Sequence, residues 1–430
     1  MWIGIDDTDS REGGCTTYIG FLLSGALQKY LTGFPRLVRL NPNIPYKTRG
    51  NGAVSLHFSK SAGDRIIIGK KDGEWIFSRR DNAAEEEYIP EAFTIAEKLV
   101  EDNMIKGNDQ TNPGLIGGTR IPTESFYRMA LEKIIDQKIS YSLLEELGIT
   151  HREWGNGRGI TGSLASIAWR GRRITYELIS YNSPNGKRLP ARDKRIIGEM
   201  CESRQDTFNN MDSSGKIALF PKERTPVVYG IRSISHETLL SIQEEIGRLY
   251  PDLDRNFLIY QTNQGTDDHI IHDPEILEDG GSYSLNGRID GVPVRGEGGH
   301  MSIPFRHEKG IMNLMAFEPS KSFRNLLQGL RPGDLVRVYG SLSRGNLKLE
   351  KINLMEISEI YRRVAPNCSA CGGKTRNTGS GIYQCVSCHR KNMPAYRREQ
   401  RTMVKGKYEP PAFARRHLSM PWKLESAFSA

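Results

Sequence analysis

The chain has 430 residues, 37% of them hydrophobic and 26% charged, which suits three or four globular domains with real cores and excludes a disordered chain. No run approaches the roughly 18–20 apolar residues of a spanning helix, and the opening MWIGIDDTDSREGG is too acidic for a signal peptide, so a cytoplasmic protein with no membrane association is expected. Net charge is +9, yet residues 361–430 alone carry 14 Lys and Arg against three Glu, and charge clustered in this way suits a polyanion partner.

The first segment reads as a strand over 1–5 that ends in the acidic loop Asp6-Asp7-Thr8-Asp9-Ser10. A helix over 16–31 follows, with Ile19, Leu22, Leu23, Ala26, Leu27, Tyr30 and Leu31 on one face. Strands are predicted at 37–40, 53–58 and 65–68 and helices at 92–102 and 124–136, with a loop rich in Gly, Asn and Pro over 107–122. Residues 1–138 are thus expected to form an α/β domain. Helices at 143–147, 162–168, 193–202 and 237–249, with strands at 174–181, 226–231 and 256–261, suit a ferredoxin-like α+β domain over 139–275. Short strands separated by Gly287, Gly291, Gly340 and Gly345 predict an OB-fold β-barrel over 281–361. Residues 362–430 hold two cysteine pairs and then a basic tail, punctuated by proline, with little core of its own.

The knuckles Cys368-x2-Cys371 and Cys385-x2-Cys388 can supply four thiolates to one zinc, with Gly372 and Gly373 allowing the turn after the first pair. So short a segment has almost no core, and zinc would supply its folding free energy, on the order of 10–16 kcal/mol; redox dithiols are the alternative. Arg376, Arg390, Lys391, Arg397, Arg398 and Arg401 surround the knuckles, a set suited to gripping nucleic acid.

Asp6, Asp7 and Asp9 stand at the C-terminal end of a strand, where α/β sheets bind ligands. Carboxylates so close repel one another unless a cation sits among them, and their hard oxygens suit Mg²⁺. Thr16 and Thr17 then open a helix whose amides can face a phosphate, although a solvated acidic turn with Thr16 as N-cap fits the same residues. In NPNIPYKTRGNG, Lys47 and Arg49 sit on a loop whose Gly50, Asn51 and Gly52 let the backbone approach an anion. Alone this is as well a basic turn; beside the acidic loop it makes a triphosphate site. GNGRG at 155–159 precedes a helix and could bind an anion, though as a lone glycine-rich turn it is a weak signal; His269 and His272 could bind a metal but read rather as part of a polar surface loop, and the isolated Cys15 and Cys201 read as buried or incidental rather than nucleophilic.

GIDDTDS followed by CTTY, then NPNIPYKTRGNG and TNPG, with an OB-like segment and a terminal zinc ribbon, resembles the archaeal agmatinylcytidine synthetase family over essentially the whole chain. The resemblance implies a kinase-like α/β domain, a ferredoxin-like domain, an OB-fold and a zinc ribbon, in that order. It implies ATP-dependent ligation of agmatine to carbon 2 of the wobble cytidine of the isoleucine tRNA with a CAU anticodon, converting decoding to AUA. The cytidine oxygen would be phosphorylated and then displaced by the agmatine amine. The resemblance further implies a phosphorylatable threonine at Thr16 and an ATP cleavage yielding AMP.

Asp6, Asp7, Asp9 and Thr16 are then the catalytic candidates, with Mg²⁺ on the aspartates, and Thr17, Lys47, Arg49, Gly50, Asn51 and Gly52 the ATP-binding ones. The cytidine must be flipped out of its stack, with the basic ribbon and tail on the anticodon loop and the OB-fold elsewhere on the tRNA. Agmatine is a dication, so its pocket needs carboxylates and an aromatic face; Phe208 and Asp212 supply both, although a plain loop between elements fits that stretch equally. ATP, Mg²⁺ and Zn²⁺ are the expected cofactors, tRNA and agmatine the partners, and no obligate protein partner is evident. Two competitors stay open: another ATP-dependent tRNA enzyme with a different amine, and a non-catalytic zinc-ribbon and OB-fold RNA-binding protein.

Overall fold

Strand β1 (Trp2–Asp6) is buried on both faces. Ile3 and Ile5 point into one core with helices α1 (Thr16–Ala26) and α2 (Pro90–Asn103), while Trp2 points into a second core on the other side. The computed structural model describes all residues except 48–49, 61–62, 81–86, 183–188, 213, 222–224, 252, 254–255, 321, 380 and 429–430, and the side chains of 191 and 319. The second core is closed by α3 (Glu124–Glu132), α4 (Gln137–Leu147) and α5 (Gly159–Ala168). Strands β2 (Leu31–Arg39), β3 (Gly52–Phe58), β4 (Arg65–Lys71), β5 (Glu74–Arg79), β6 (Gly114–Gly118) and β7 (Thr150–Glu153) belong to the same sheet as β1. So do β8 (Thr175–Tyr181), β9 (Val227–Ser233) and β10 (Asn256–Thr262), which pack with helices α6 (Ala191–Glu202) and α7 (His236–Leu249) around a third core. The sheet has ten strands in the order β7-β6-β1-β3-β2-β5-β4-β10-β8-β9, so it runs unbroken through both of the first two expected segments.

Two departures from the sequence expectation shape the site. Helix α1 stops at Ala26, and Leu31 already begins β2; Leu27 and Leu31 are buried although neither lies in the helix, so apolar spacing alone does not mark the end. The loop expected over 107–122 contains β6, GLIGG, lying wholly buried beside β1. Its glycines lower strand propensity and are there for close packing: a Cβ on Gly114 would overlap the amide of Ile160, and one on Gly117 would lie 2.6 Å from Phe93.

The next strands are β11 (Ile270–His272), β12 (Ser282–Ile289), β13 (Val294–Arg295), β14 (Met301–His307), β15 (Gly310–Ala316), β16 (Leu335–Ser343) and β17 (Asn346–Glu356). Helix α8 (Ser322–Gly329) interrupts them. β12 pairs with both β14 and β16, and β15 with β17, wrapping the sheet around Ile303, Phe305, Leu314, Val336 and Ile352. Beyond it lie a two-stranded ribbon, Tyr361–Val364 with Ala395–Arg398, and the three short strands that carry the cysteine knuckles.

The tail expected to lack a core is instead a strap across the molecule. Gly406–Tyr408 pairs with β17, Leu418 is buried beside Trp2 and Val38, and Met420 and Leu424 pack on Phe208. Of the segment after β10, expected as a polar surface loop, residues 263–267 and His269 are buried beneath that strap, while His272 is exposed. His417 and Leu418 carbonyls accept from the amides of Gly265 (2.8 Å) and Asp267 (2.9 Å), and His269 Nε2 meets Glu350 Oε2 at 2.9 Å. Lys351 Nζ bonds the Asp267 carboxylate and donates to the Met420 carbonyl (2.9 Å).

Both members of the Lys351–Asp267 pair are buried, at 1% and 5% side-chain exposure, so removing one leaves the other desolvated and unpaired. Lys351→Met should destabilise the chain by about 3–5 kcal/mol, measured by urea denaturation. The double variant Lys351→Met/Asp267→Leu should recover most of that loss; equal loss in single and double variants would refute the pairing.

Candidate active site

The acidic loop is organised by backbone as much as by charge. Asp7 turns the chain with φ of 57°, a left-handed conformation that Asp tolerates better than most residues. The turn lets the Asp7 carbonyl accept from the Asn112 amide (3.2 Å) and its carboxylate accept from Arg158 Nε (2.5 Å) and Asn112 N (3.2 Å). Arg158 reaches Asp7 because α5 begins directly after it and presses on the ends of β1 and β6. A Cβ on Gly159 would sit 2.8 Å from the carbonyls of Asp6 and Asn112, and one on Gly162 would overlap the Asp6 carboxylate. Asp9 turns the other way, its Oδ1 accepting from Thr16 N (2.8 Å) and Thr16 Oγ1 (3.2 Å). The first amide of α1 is therefore satisfied by Asp9, as an N-cap side chain would do.

Asp6, Asp7, Asp9 and Thr16 line a cleft of about 330 Å³ together with Lys47, Gly50, Asn51 and Gly52. The basic loop is held from within, by Lys47 donating to the Pro42 carbonyl and Asn51 Nδ2 to the Asn41 carbonyl (3.0 Å). It also rests on the Arg39 guanidinium, which a Cβ on Gly50 would approach to 2.9 Å. Burial, and next the Asp7 charge, push the Asp6 carboxyl up to about 8. Burial likewise raises Asp7 to about 6 against the pull of Arg158. Carboxylates held so unfavourably are where an incoming cation gains most.

Several expected residues stand elsewhere. The three aspartates share the cleft without converging; among the described residues, only Cys368, Cys371, Cys385 and Cys388 form a group of three or more potential ligands around one point. Thr17 does not line the cleft: its Oγ1 meets Cys15 Sγ at 3.2 Å and its carbonyl accepts from Tyr260. Arg49 lies outside the described residues. Phe208 is fully buried against Met420 and Leu424, and Asp212 Oδ1 closes its own turn on Ser214 N (2.9 Å) and Lys216 N (2.8 Å); neither lines the cleft. Arg401 binds the Asp334 carboxylate with both Nη atoms and the Gly329 carbonyl at 2.8 Å, clamping the ribbon to the barrel. Arg398 pairs with Glu359 at 2.9 Å, while Arg376, Arg390, Lys391 and Arg397 are exposed on the ribbon. The reading from sequence passed over Arg158, Asn156 and Tyr46, all in the cleft wall, with the Arg158 guanidinium 5.2 Å from the Tyr46 ring. Asn156 and Arg158 sit in the GNGRG turn and Tyr46 in the NPNIPYKTRGNG stretch.

The cysteine Sγ atoms lie 3.5–3.6 Å apart across the 368–388, 371–385 and 371–388 pairs. A tetrahedral zinc with Zn–S bonds of about 2.3 Å has edges of about 3.8 Å, so the four thiols need move little to hold one. Amides of Ala370, Ser387 and Cys388 point at Sγ atoms, which favours thiolates. Gly372, at φ of 68°, closes the first knuckle, and His389, at 58°, the second.

Family models described as the TiaS TCKD domain and the TiaS FLD domain match residues 2–156 and 157–269, and an OB-fold nucleic acid binding domain matches 283–355. The isoleucine-tRNA 2-agmatinylcytidine synthetase TiaS of Thermoplasma volcanium is 36% identical over 430 residues, covering 100% of this chain and 98% of the relative. This chain belongs to the isoleucine-tRNA 2-agmatinylcytidine synthetase family. The synthetase of Archaeoglobus fulgidus is 33% identical over 98% of this chain and 96% of its own. Among solved synthetase structures, the complex of TiaS with isoleucine tRNA and ATP superposes with a TM-score of 0.82 at 32% identity, and the complex with isoleucine tRNA, AMPCPP and agmatine with 0.79 at 30%. Each covers 98% of this chain and 96% of the matched one. In the synthetase family's division the first two domains meet at residues 156 and 157, so the cleft takes Asp6, Lys47 and Asn156 from one and Arg158, Thr161 and Gly162 from the other.

Proposed function

We propose that this chain is an ATP-dependent ligase that joins agmatine to carbon 2 of the wobble cytidine of the isoleucine tRNA with a CAU anticodon. The carrying observation is the cleft, which the acidic loop and Thr16 line together with Lys47, Gly50, Asn51 and Gly52. It lies in a chain whose full-length relatives are named for this reaction, and whose structural neighbours hold isoleucine tRNA, ATP or its analogue, and agmatine.

The chemistry explains the layout. A pyrimidine carbonyl is a poor electrophile, and phosphorylating its oxygen creates a leaving group that the agmatine amine displaces. Lys47, Gly50, Asn51 and Gly52, with Arg49, hold the phosphates and offset the charge that builds during transfer. The residues fit Mg²⁺: such an ion takes one or two carboxylates along with phosphate oxygens, and the burial-raised Asp6 and its neighbours Asp7 and Asp9 offer them. Bound there, it would neutralise phosphate charge. Arg158 holds Asp7 in place, and Thr16, which lines the cleft and donates to Asp9, would receive the phosphoryl group. The kinase-like and ferredoxin-like readings of the first two segments, a zinc in the cysteine cluster, RNA contacts from Arg376, Arg390, Lys391 and Arg397, and a cytoplasmic setting belong to the same proposal.

The test is direct. The protein is incubated with Mg²⁺, ATP, agmatine and the CAU isoleucine tRNA, and the digested nucleosides are weighed. The expected product is a cytidine heavier by one agmatine less one water, absent when ATP or agmatine is left out. ATP consumption with unmodified tRNA would replace agmatine by another amine, and no consumption would overturn the ligase.

A further inference from the structure

The strap builds a second hollow, of about 180 Å³, behind the basic loop. Lys216 and Arg232 of the second domain line it together with Phe413, Arg415, Arg416 and His417 of the tail, and among the described residues no carboxylate does. Three acids touch these cations from behind: Glu177 on Arg232 (3.0 Å), Glu409 on Arg415 (2.8 Å) and Glu350 on Arg416 (3.5 Å). Glu177 also serves Arg39, at 3.5 Å. The cations are felt by His417, whose imidazole is held well below its usual range by the Arg39 charge and then by burial.

The Arg415 side chain is only 8% exposed, yet its Nε–H meets no acceptor, although buried donors as a rule have one. Lys216 holds its ammonium 3.4 Å from the centre of the Phe413 ring, a contact that an oxyanion can share. The hollow is one side chain away from the active-site cleft: a Cβ on Gly50 would approach His417 Cδ2 to 2.9 Å.

We propose that this hollow binds a phosphate oxyanion, and that the phosphate is a backbone phosphodiester of the tRNA strand beside the cytidine entering the cleft. The inference rests on the RNA substrate proposed above. A hollow this cationic repels agmatine. Because Arg416 and His417 brace the basic loop as well as lining the hollow, one phosphate seated there would set the register of the strand relative to the cleft.

The test uses full-length protein and reads binding without turnover. Lys216 is exposed, so Lys216→Ala and Lys216→Arg should fold and melt as the parent does. Affinity for the CAU isoleucine tRNA is followed by fluorescence anisotropy across a salt series. Lys216→Ala should bind roughly fourfold more weakly near physiological salt and flatten the log–log salt slope by about 0.7–0.9, the loss of one phosphate contact, and Lys216→Arg should restore both. An unchanged slope, with inorganic pyrophosphate binding the parent but not Lys216→Ala in a calorimetric titration, would assign the hollow to free phosphate and overturn the RNA contact. No change in either would leave no anion site. Because no step of ligation is read, failure here is distinct from failure of the nucleoside-mass assay.

Discussion

Gly162→Ala is expected to lower the rate of product formation by about a hundredfold or more while leaving the fold intact. The added methyl would overlap the Asp6 carboxylate, lying 2.6 Å from its Cγ and 3.1 Å from its Cβ, so Asp6 must leave the position it holds in the cleft wall. Misplacing a reacting or positioning group by about 1 Å can cost on the order of 10²-fold. Helix α5 itself should not suffer, since alanine is the better helix former by about 1 kcal/mol. Gly198→Ala in helix α6 is the matched control: its methyl would come no nearer than 3.3 Å to its closest neighbours, Met211 and Ile217, and activity should hold. The measurements are single-turnover product formation and thermal melting of both variants. Normal activity in Gly162→Ala would take Asp6 out of the chemistry, and a collapsed melting curve would move the effect to folding; Asp6→Asn, which leaves the helix contact untouched, then decides between them.

What could be read from the chain depended on whether the signal was local. The cysteine cluster was legible because its four ligands lie within 21 residues and each knuckle makes its own turn. The two loops of the cleft were legible because each carries a charged or glycine pattern at the edge of a strand. Arg158 was not: its partner Asp7 is 151 residues away, and only the packing of α5 on β1 and β6 brings them together. Strand β6 hid in its own glycines, which deter a strand in sequence and permit one where two helices press on it. The tail misled for the converse reason. Its prolines and basic residues resemble a solvated arm, yet Leu418, Met420 and Leu424 find cores made by other segments, and Arg415 and Arg416 find acids there. Phe208 is likewise a core residue, packed with Ile234 and with Met420 and Leu424 from more than 200 residues downstream, a burial that its own stretch of sequence does not signal.

Stripping metal from the cysteine cluster is expected to unfold the ribbon alone and to weaken tRNA binding at least tenfold. The physical reason is the poverty of the ribbon's own interior. Its strands are two to four residues long, and among its described residues the buried side chains besides Cys368 and Cys385 are Tyr383 and Asn392. None of the described ribbon residues joins the cores of the sheet or of the barrel, so those cores lose nothing when the cluster opens, and the Arg401 clamp and the strap keep the remainder assembled. A chelator added with a thiol-blocking mercurial should release one zinc per chain, read with a colorimetric metal indicator. Protease cleavage should then appear between residues 361 and 400, with the main melting transition unmoved. The exposed Arg376, Arg390, Lys391 and Arg397 would still carry their charge but no longer on a fixed surface, so affinity should fall while salt dependence flattens only partly. Cys371→Ser should reproduce the whole pattern without chelator. Protein purified from zinc-replete medium with no zinc bound would remove the metal from the account, and Cys371→Ser with undiminished tRNA affinity would move the RNA contacts off the ribbon and onto the barrel and the strap.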